Sequence, residues 1–96
     1  MRTRDLVIGK KKAVGFEIQL PGAPLLIARG EKGFIMCGYL DVTVADKFQQ
    51  AAAVVRGVKT LDDLLEKPVT DVSQAAKRLG VKPGMTGQEA LRRFSE

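Results

Sequence analysis

The stretch GFIMCGYL, residues 33–40, decides how the rest of the chain is organised. Every position in it is apolar or small, whereas a strand with one face in water alternates apolar and polar residues. The stretch is therefore typical of a strand that is covered on both faces. Strand-like runs precede it, and a helical pattern of apolar residues begins just after Asp41. We expect strands in the first part of the chain and helices in the second.

Three runs before residue 33 have the features of strands. The second run alternates most clearly, because Val14, Phe16, Ile18 and Leu20 all fall on one face of an extended chain. The sequences PGAP at residues 21–24 and GEKG at residues 30–33 are typical of turns. The predicted strands are Leu6–Ile8, Ala13–Leu20, Leu25–Ala28 and residues 33–40.

Four segments after Asp41 have helical spacing and recognisable ends. Their starts are indicated by N-capping residues and their ends by glycine or proline. They are predicted at 43–55 behind Thr43, at 61–66 behind Thr60, at 72–79 behind Thr70 or Asp71, and at 87–94 behind a capping box of Thr86 and Glu89.

This order predicts an α+β fold, since strands come first and helices second rather than alternating. We expect about four mostly antiparallel strands, followed by three to four short helices that cover one face of the sheet. Residues 1–96 form a single domain in this interpretation, with a β-rich part at 1–41 and a helical part at 42–96.

Composition excludes several kinds of chemistry. The 96 residues include one cysteine and no histidine, so an intramolecular disulfide, a histidine-dependent triad or dyad and a multi-cysteine metal site are all excluded. The carboxylates lack metal-loop spacing. The sequence indicates no catalytic residue, no metal ligand and no cofactor. It also has no apolar run near the ~20 residues of a membrane span and no signal-peptide pattern, so we expect a cytoplasmic protein that does not associate with a membrane.

One candidate small-ligand or enzyme site lies where the central strand meets the first helix. It consists of Cys37, Gly38, Tyr39 and Asp41, because ligands often bind where strands end and helix N–H groups are free. The alternative is a plain connection in which Cys37 behaves as a small buried hydrophobe and Asp41 or Thr43 caps the helix.

The helical hairpin at 72–95 is a candidate for nucleic-acid binding, because its first part resembles a helix-turn-helix protein. The second helix would present Gln88, Arg92 and Arg93. However, Pro83-Gly84 lengthens the turn beyond the ~3–4 residues of that motif. Little basic surface flanks the second helix. Nucleic acid is therefore not the expected partner.

The amount of apolar sheet surface predicts self-association. Helices from one chain segment cover one face, which leaves large side chains on the other, and contiguous exposed apolar patches commonly mark interfaces. We expect a closed homo-oligomer that assembles through the β-rich part. The alternative is a sheet that curls into a small barrel. The sequence does not decide whether the face of Leu26 or that of Ile27 forms the contact. The candidate interface residues are Phe16, Ile18, Leu25, Leu26, Ile27, Phe34, Ile35 and Met36.

Several separated motifs occur together and in order over nearly the whole chain. They are LPGAPLL at 20–26, KGF at 32–34, MCGYL at 36–40, GVKT at 57–60, DDLL at 62–65, GMTG at 84–87 and EAL at 89–91. With these motifs the chain resembles the YunC-like family of small bacterial and archaeal domains of unknown function. The resemblance implies a β-rich N-terminal region that mediates tetramer formation, and it implies no catalytic residues.

Overall fold

The computed structural model describes residues 1–95 as six strands and four helices. The strands are β1 (Arg2–Ile8), β2 (Lys11–Ile18), β3 (Leu25–Arg29), β4 (Gly33–Cys37), β5 (Ala51–Val55) and β6 (Asp71–Val72). The helices are α1 (Val42–Lys47), α2 (Leu61–Glu66), α3 (Gln74–Arg78) and α4 (Gly87–Phe94). None of these helices is long and apolar enough to cross a membrane.

All six strands form one sheet in which each strand pairs with its neighbours in chain order. Every pair is antiparallel except β4 and β5, which run parallel on either side of the α1 crossover. The predicted α+β class is confirmed, with six strands rather than about four. Both additional strands, β5 and β6, follow residue 41. Within residues 1–95 the edge strands β1 and β6 do not pair, so the sheet stays open instead of closing into a barrel.

The prediction of one helix over residues 43–55 was wrong. The helix α1 ends at Lys47, and Gln49 adopts a left-handed backbone with φ of 56°. The Gln50 N–H donates to the Ala45 carbonyl at 2.8 Å, which completes a Schellman ending without glycine. The alanine-rich run that follows has helical propensity, but pairing with β4 makes it a fully buried strand.

Several element ends also differ from the sequence-based assignment, among them the start of β1 at Arg2 and the end of β2 at Ile18. The strand β4 stops at Cys37 instead of continuing to Leu40. Asp41, rather than Thr43, is the N-cap of α1. Ser73 caps α3, because the two residues before it pair with β5 as the short strand β6. The caps predicted at Thr60 and at Thr86 are confirmed, the latter as a capping box.

The main core lies between one face of the sheet and the helices α2, α3 and α4. The helices contribute Leu64, Ala76, Leu91 and Phe94, all of them fully buried. The sheet contributes Leu6, Ile8, Ala13, Leu26, Ala28, Ile35, Cys37, Ala51, Ala53 and Val55. We call this side of the sheet the covered face.

The opposite face is covered only in part. Here Ala45 of α1 packs with Met36, Ala52 and Val54 in a second, smaller cluster. The helix α1 therefore covers β4 and β5, and the prediction that the helices cover a single face of the sheet was wrong. The part formed by β1, β2 and β3 has no helix over it in the described chain.

Candidate functional site

The uncovered part of the sheet carries a row of apolar residues on β1, β2 and β3. It carries Val7, Val14, Phe16, Ile18 and Ile27, and we call this surface the open face. The register places Phe16 beside Ile27, while their neighbours in sequence point to the covered face. Val7 is 72% exposed and Ile18 37% exposed, and the other three are half-buried. Such a contiguous patch is typical of an interaction surface.

Gly15 of β2 lies on the covered face, against helix α2. A Cβ atom at Gly15 would lie 3.0 Å from the Leu61 side chain, so helix α2 packs directly on the strand there. This close contact favours a small residue on the covered face. The larger residues of β2 consequently point away from the helices. The most hydrophobic face of β2 is therefore the one without a helix over it.

The structure divides the eight predicted interface residues between the two faces. Phe16, Ile18 and Ile27 lie on the open face, and Phe34 lies at its border with α1. Leu26 and Ile35 are fully buried on the covered face. Met36 is buried beneath α1, and Leu25 is half-buried opposite Ile18 and packs partly against the main core. Leu26, Ile35 and Met36 are thus buried within the single chain. The face of Ile27 is the exposed one.

A groove continues the open face beside α1. It has a volume of about 380 Å³ and lies between the helix and strand β4. Its walls include Phe34, Met36, Leu40 and Val44. Val44 is more than half exposed, and Phe48, at the end of α1, is 70% exposed. The apolar surface of this side of the molecule therefore extends past the sheet.

A second concavity lies where the parallel strands β4 and β5 end. Ligands of α/β folds commonly bind beyond the carboxyl ends of parallel strands. The cleft has a volume of about 260 Å³ and is lined by Ala23, Pro24, Cys37, Gly38, Tyr39, Gly57 and Val58. Three of the four predicted ligand-site residues are thus brought together there. A Cβ atom at Gly38 would lie 3.6 Å from the guanidinium of Arg56, so that cation borders the cleft.

Cys37 and Tyr39 have different roles at this cleft. Cys37 is only 3% exposed, and its Sγ accepts a hydrogen bond from the Leu26 N–H at 3.4 Å. It contributes to the core as much as to the cleft wall. Tyr39 is about half exposed, and its hydroxyl donates to the Ala23 carbonyl at 3.2 Å. The tyrosine ring therefore ties the β2–β3 connection to the end of β4.

Asp41 lies beside the groove rather than in the cleft. Its carboxylate accepts a hydrogen bond from the Thr43 N–H at 2.9 Å, as expected for an N-cap. This hydrogen bond is the main cause that holds the pKa of Asp41 below its ordinary value, and the positive charge of Arg56 contributes further. Asp41 therefore acts as a structural cap that stays ionised at neutral pH.

Comparison with known proteins places the chain in a family. A family of domains of unknown function, DUF1805, matches residues 36–94, which is more than half of the chain. The chain belongs to the DUF1805 family. It is 38% identical over 78 residues to the protein named "Uncharacterized protein YunC" from Bacillus subtilis, with 77% of each sequence covered. The YunC-like resemblance is thereby confirmed.

A solved structure of similar sequence has the same fold. The crystal structure of TA1206, a protein of unknown function from Thermoplasma acidophilum, superimposes with a TM-score of 0.93. The sequence identity is 37%, and the alignment covers 98% of this chain and 92% of the other. The six-stranded sheet with its four helices is therefore shared by this DUF1805 chain and a crystallised relative.

The helical hairpin of this DUF1805 chain packs on the sheet. Helix α4 buries Ala90, Leu91 and Phe94 in the main core and leaves Arg92 and Arg93 on its outer side. Residues 79–86 connect α3 to α4, and this connection is longer than the turn of a helix-turn-helix motif. Among residues 1–95, no group of three His, Cys, Asp or Glu residues is arranged to hold a metal ion.

Two residues of the open face were not among the interface residues predicted from the sequence. Both lie in predicted strands: Val14 shares the face of Phe16 on β2, and Val7 joins it because β1 pairs with β2. The polar residues between Arg2 and Asp5 hide the first half of β1 from a pattern based on hydrophobicity, so only Leu6–Ile8 was predicted as a strand. Strand alternation through Val7 and its pairing with Lys12 is the signal that extends the apolar surface onto β1.

Proposed function

We propose that this protein is a homo-oligomeric assembly module of the cytoplasm that associates with copies of itself through the open face. The observation that carries the proposal is the contrast in cover between the two faces of the same sheet. One face is packed against three helices, while Phe16, Ile18 and Ile27 lie on the other without a helix over them. Apolar sheet faces are stable when another layer covers them. A second copy supplies such a layer.

The energetic scale is sufficient for association. Full burial of one large apolar side chain contributes about 1.5–3 kcal/mol, and association costs about 4–15 kcal/mol in lost freedom. Each copy contributes its five open-face residues to the contact. Burial of their exposed parts therefore gives a free energy of the same order as the cost of association. The groove beside α1 and the exposed ring of Phe48 provide a second apolar surface on the same side. A tetramer requires two such surfaces, in keeping with the resemblance to a family with a tetramer-forming β-rich region.

The mass in solution tests the proposal. Light scattering over a concentration series is expected to give a multiple of the 10.4 kDa chain mass for the parent protein. Phe16→Glu is expected to give a monomer, because it places a charge in the centre of the contact. Ile18→Glu repeats the test at a more exposed position, in case Phe16→Glu does not fold.

The matched control adds the same charge on the other side of the molecule. Gln88 is exposed in the first turn of α4, where a carboxylate is favoured by the helix dipole. Gln88→Glu is expected to keep the mass of the parent. A parent protein that remains a 10.4 kDa monomer at tens of micromolar would contradict the assembly function.

A second candidate function is the binding of a small ligand at the cleft beyond β4 and β5. The specific observation is that Gly38 and Gly57 follow two adjacent parallel strands, with Tyr39 and the Arg56 cation beside them. A small aromatic carboxylate fits this chemistry, because its ring can pack on Tyr39 and its charge can face Nη1 of Arg56, whose Nη2 pairs with Asp71 at 2.7 Å.

Benzoate is the probe for this site. Titration into labelled protein is expected to shift the amide resonances of Gly38, Tyr39 and Val58 in a saturable way, and Tyr39→Ala is expected to remove that response. Weak shifts scattered over the surface that do not saturate would count against a binding site.

A further inference from the structure

Two opposite charges flank the centre of the open face. The cross-strand register places Asp5 of β1 beside Val14 of β2, and Val14 beside Arg29 of β3. The three side chains therefore form one row on the same face of the sheet, since directly paired residues share a face. Asp5 and Arg29 are both exposed.

Neither charge is neutralised within the monomer. The ion pairs among residues 1–95 are Arg4 with Asp62 and Arg56 with Asp71, and neither involves this row. Asp5 and Arg29 are separated by one intervening strand, which corresponds to roughly 10 Å between their backbones at the usual strand spacing. No ion pair joins the two side chains across β2 within residues 1–95. An apolar surface with an unpaired anion on one side and an unpaired cation on the other is suited to meet its own copy.

We infer that a second copy of this chain packs on the open face about a two-fold axis that runs along β2, with Asp5 of each copy paired to Arg29 of the other. The inference rests on the proposed assembly function and specifies its geometry. A two-fold axis in the interface along β2 exchanges the β1 side of one sheet with the β3 side of the other. Each Asp5 carboxylate then faces an Arg29 guanidinium, and this happens twice per dimer.

The same axis brings the apolar residues together. Val14 and Phe16 lie on β2 itself, so each of them faces its own counterpart across the axis. Two phenylalanine rings at the centre of a contact form a favourable aromatic pair. Lys12 also lies on the open face of β2, at its β1–β2 hairpin end. It is exposed, and its long flexible side chain can bend away from its counterpart in the other copy.

The alternative two-fold axis, across the strands, is disfavoured by charge. It would place β1 of one copy over β1 of the other, and β3 over β3. Asp5 would then face β1 residues of the other copy, and Arg29 would face β3 residues of the other copy. Neither charge would then have a partner of opposite sign. Complementary charges of this kind fix the register of an interface and suppress wrong arrangements more than they add affinity.

A charge-swap experiment tests the pairing. Asp5→Arg and Arg29→Asp are each expected to weaken dimerisation by about tenfold or more, because each puts like charges in both symmetric contacts. The double variant, Asp5→Arg with Arg29→Asp, is expected to restore the dissociation constant to within a few-fold of the parent. Sedimentation over a concentration series gives these constants. The differences between variants are expected to shrink in high salt.

A matched control separates the effect of losing a local contact from the effect of changing the net charge. Lys11→Asp changes the net charge by the same amount as Arg29→Asp, but Lys11 alternates with the open-face residues and points to the other side of β2. It is expected to leave dimerisation unchanged. Circular dichroism establishes that each variant is folded.

The outcomes are distinguishable. A parent oligomer with single variants of unchanged affinity would overturn the Asp5–Arg29 pairing and leave the assembly function standing. Weakened single variants without rescue in the double variant would also overturn the pairing. A monomeric parent would remove the assembly function and the pairing with it.

Discussion

The two faces of strands β2 and β3 differ in the size of their apolar residues. On the covered face, small residues such as Ala13, Gly15 and Ala28 alternate with large ones, so helices can approach closely. On the open face, Val14, Phe16 and Ile27 are uniformly large. Helices pack best where small residues make room for their side chains. The comparison shows that the more hydrophobic face of a strand is not always the one that its own chain covers.

The largest expected difference between the faces is in unfolding. Leu26→Ala removes a fully buried side chain and is expected to lower the free energy of unfolding by about 2–5 kcal/mol. Ile27→Ala, one position along the same strand, is expected to cost clearly less, because Ile27 is only half-buried. Urea denaturation at low protein concentration measures both. Equal losses for the two variants would show that the open face is as well packed as the covered one.

A smaller effect is expected at Ser73, which joins α3 to β5. Its Oγ accepts hydrogen bonds from the N–H groups of Ala52 at 2.9 Å and Ala76 at 3.2 Å, and it donates to the Gln50 carbonyl at 2.7 Å. Ser73→Ala leaves buried polar groups without partners and is expected to cost about 1–3 kcal/mol in thermal or urea unfolding.

The control for Ser73 is Thr86→Ala, which removes only a helix cap and is expected to cost about 1 kcal/mol. Ser73 is remote from the open face in this fold, so its loss is expected to leave the oligomeric mass of the folded protein unchanged. A change of mass at constant fold would show that α3 takes part in assembly.

The smallest effect is expected at Asp41, the cap of the helix that borders the open face. Its pKa is lowered in the folded state, mainly by the Thr43 N–H, so its stabilising contribution is present above its ordinary pKa of 3.8. That contribution is lost as the pH falls through the lower folded value. Asp41→Asn is therefore expected to lose less stability than the parent between pH 7 and pH 3.

Thermal unfolding at the two pH values measures this difference. Glu31→Gln, at an exposed carboxylate in the β3–β4 turn, is the matched control. If Asp41→Asn follows the parent at both pH values, the capping hydrogen bond does not contribute to the acid sensitivity of the fold.

The sequence determined the elements whose signals are local. The capping box at Thr86 and Glu89, the cap at Thr60 and the turn at PGAP depend on residues a few positions apart, and all three end or begin an element as predicted. The local pattern failed at residues 51–55, which form a strand instead of continuing the helix. The helix ends before them at Gln49, a residue that gives no glycine signal. The alanines of that run favour a helix by themselves. The pairing with β4 that makes them a strand is not visible in the local sequence.

The candidate sites show the same division. The sequence placed Cys37, Gly38 and Tyr39 at the end of a strand, and it indicated that the β-rich part has more apolar surface than the predicted helices cover. Only the tertiary structure decided that the face of Ile27 is open and that of Leu26 covered. The reason is that alternation defines two faces of a strand but does not say which one the helices meet. That choice depends on close contacts such as Leu61 against Gly15, which form only when distant segments pack together.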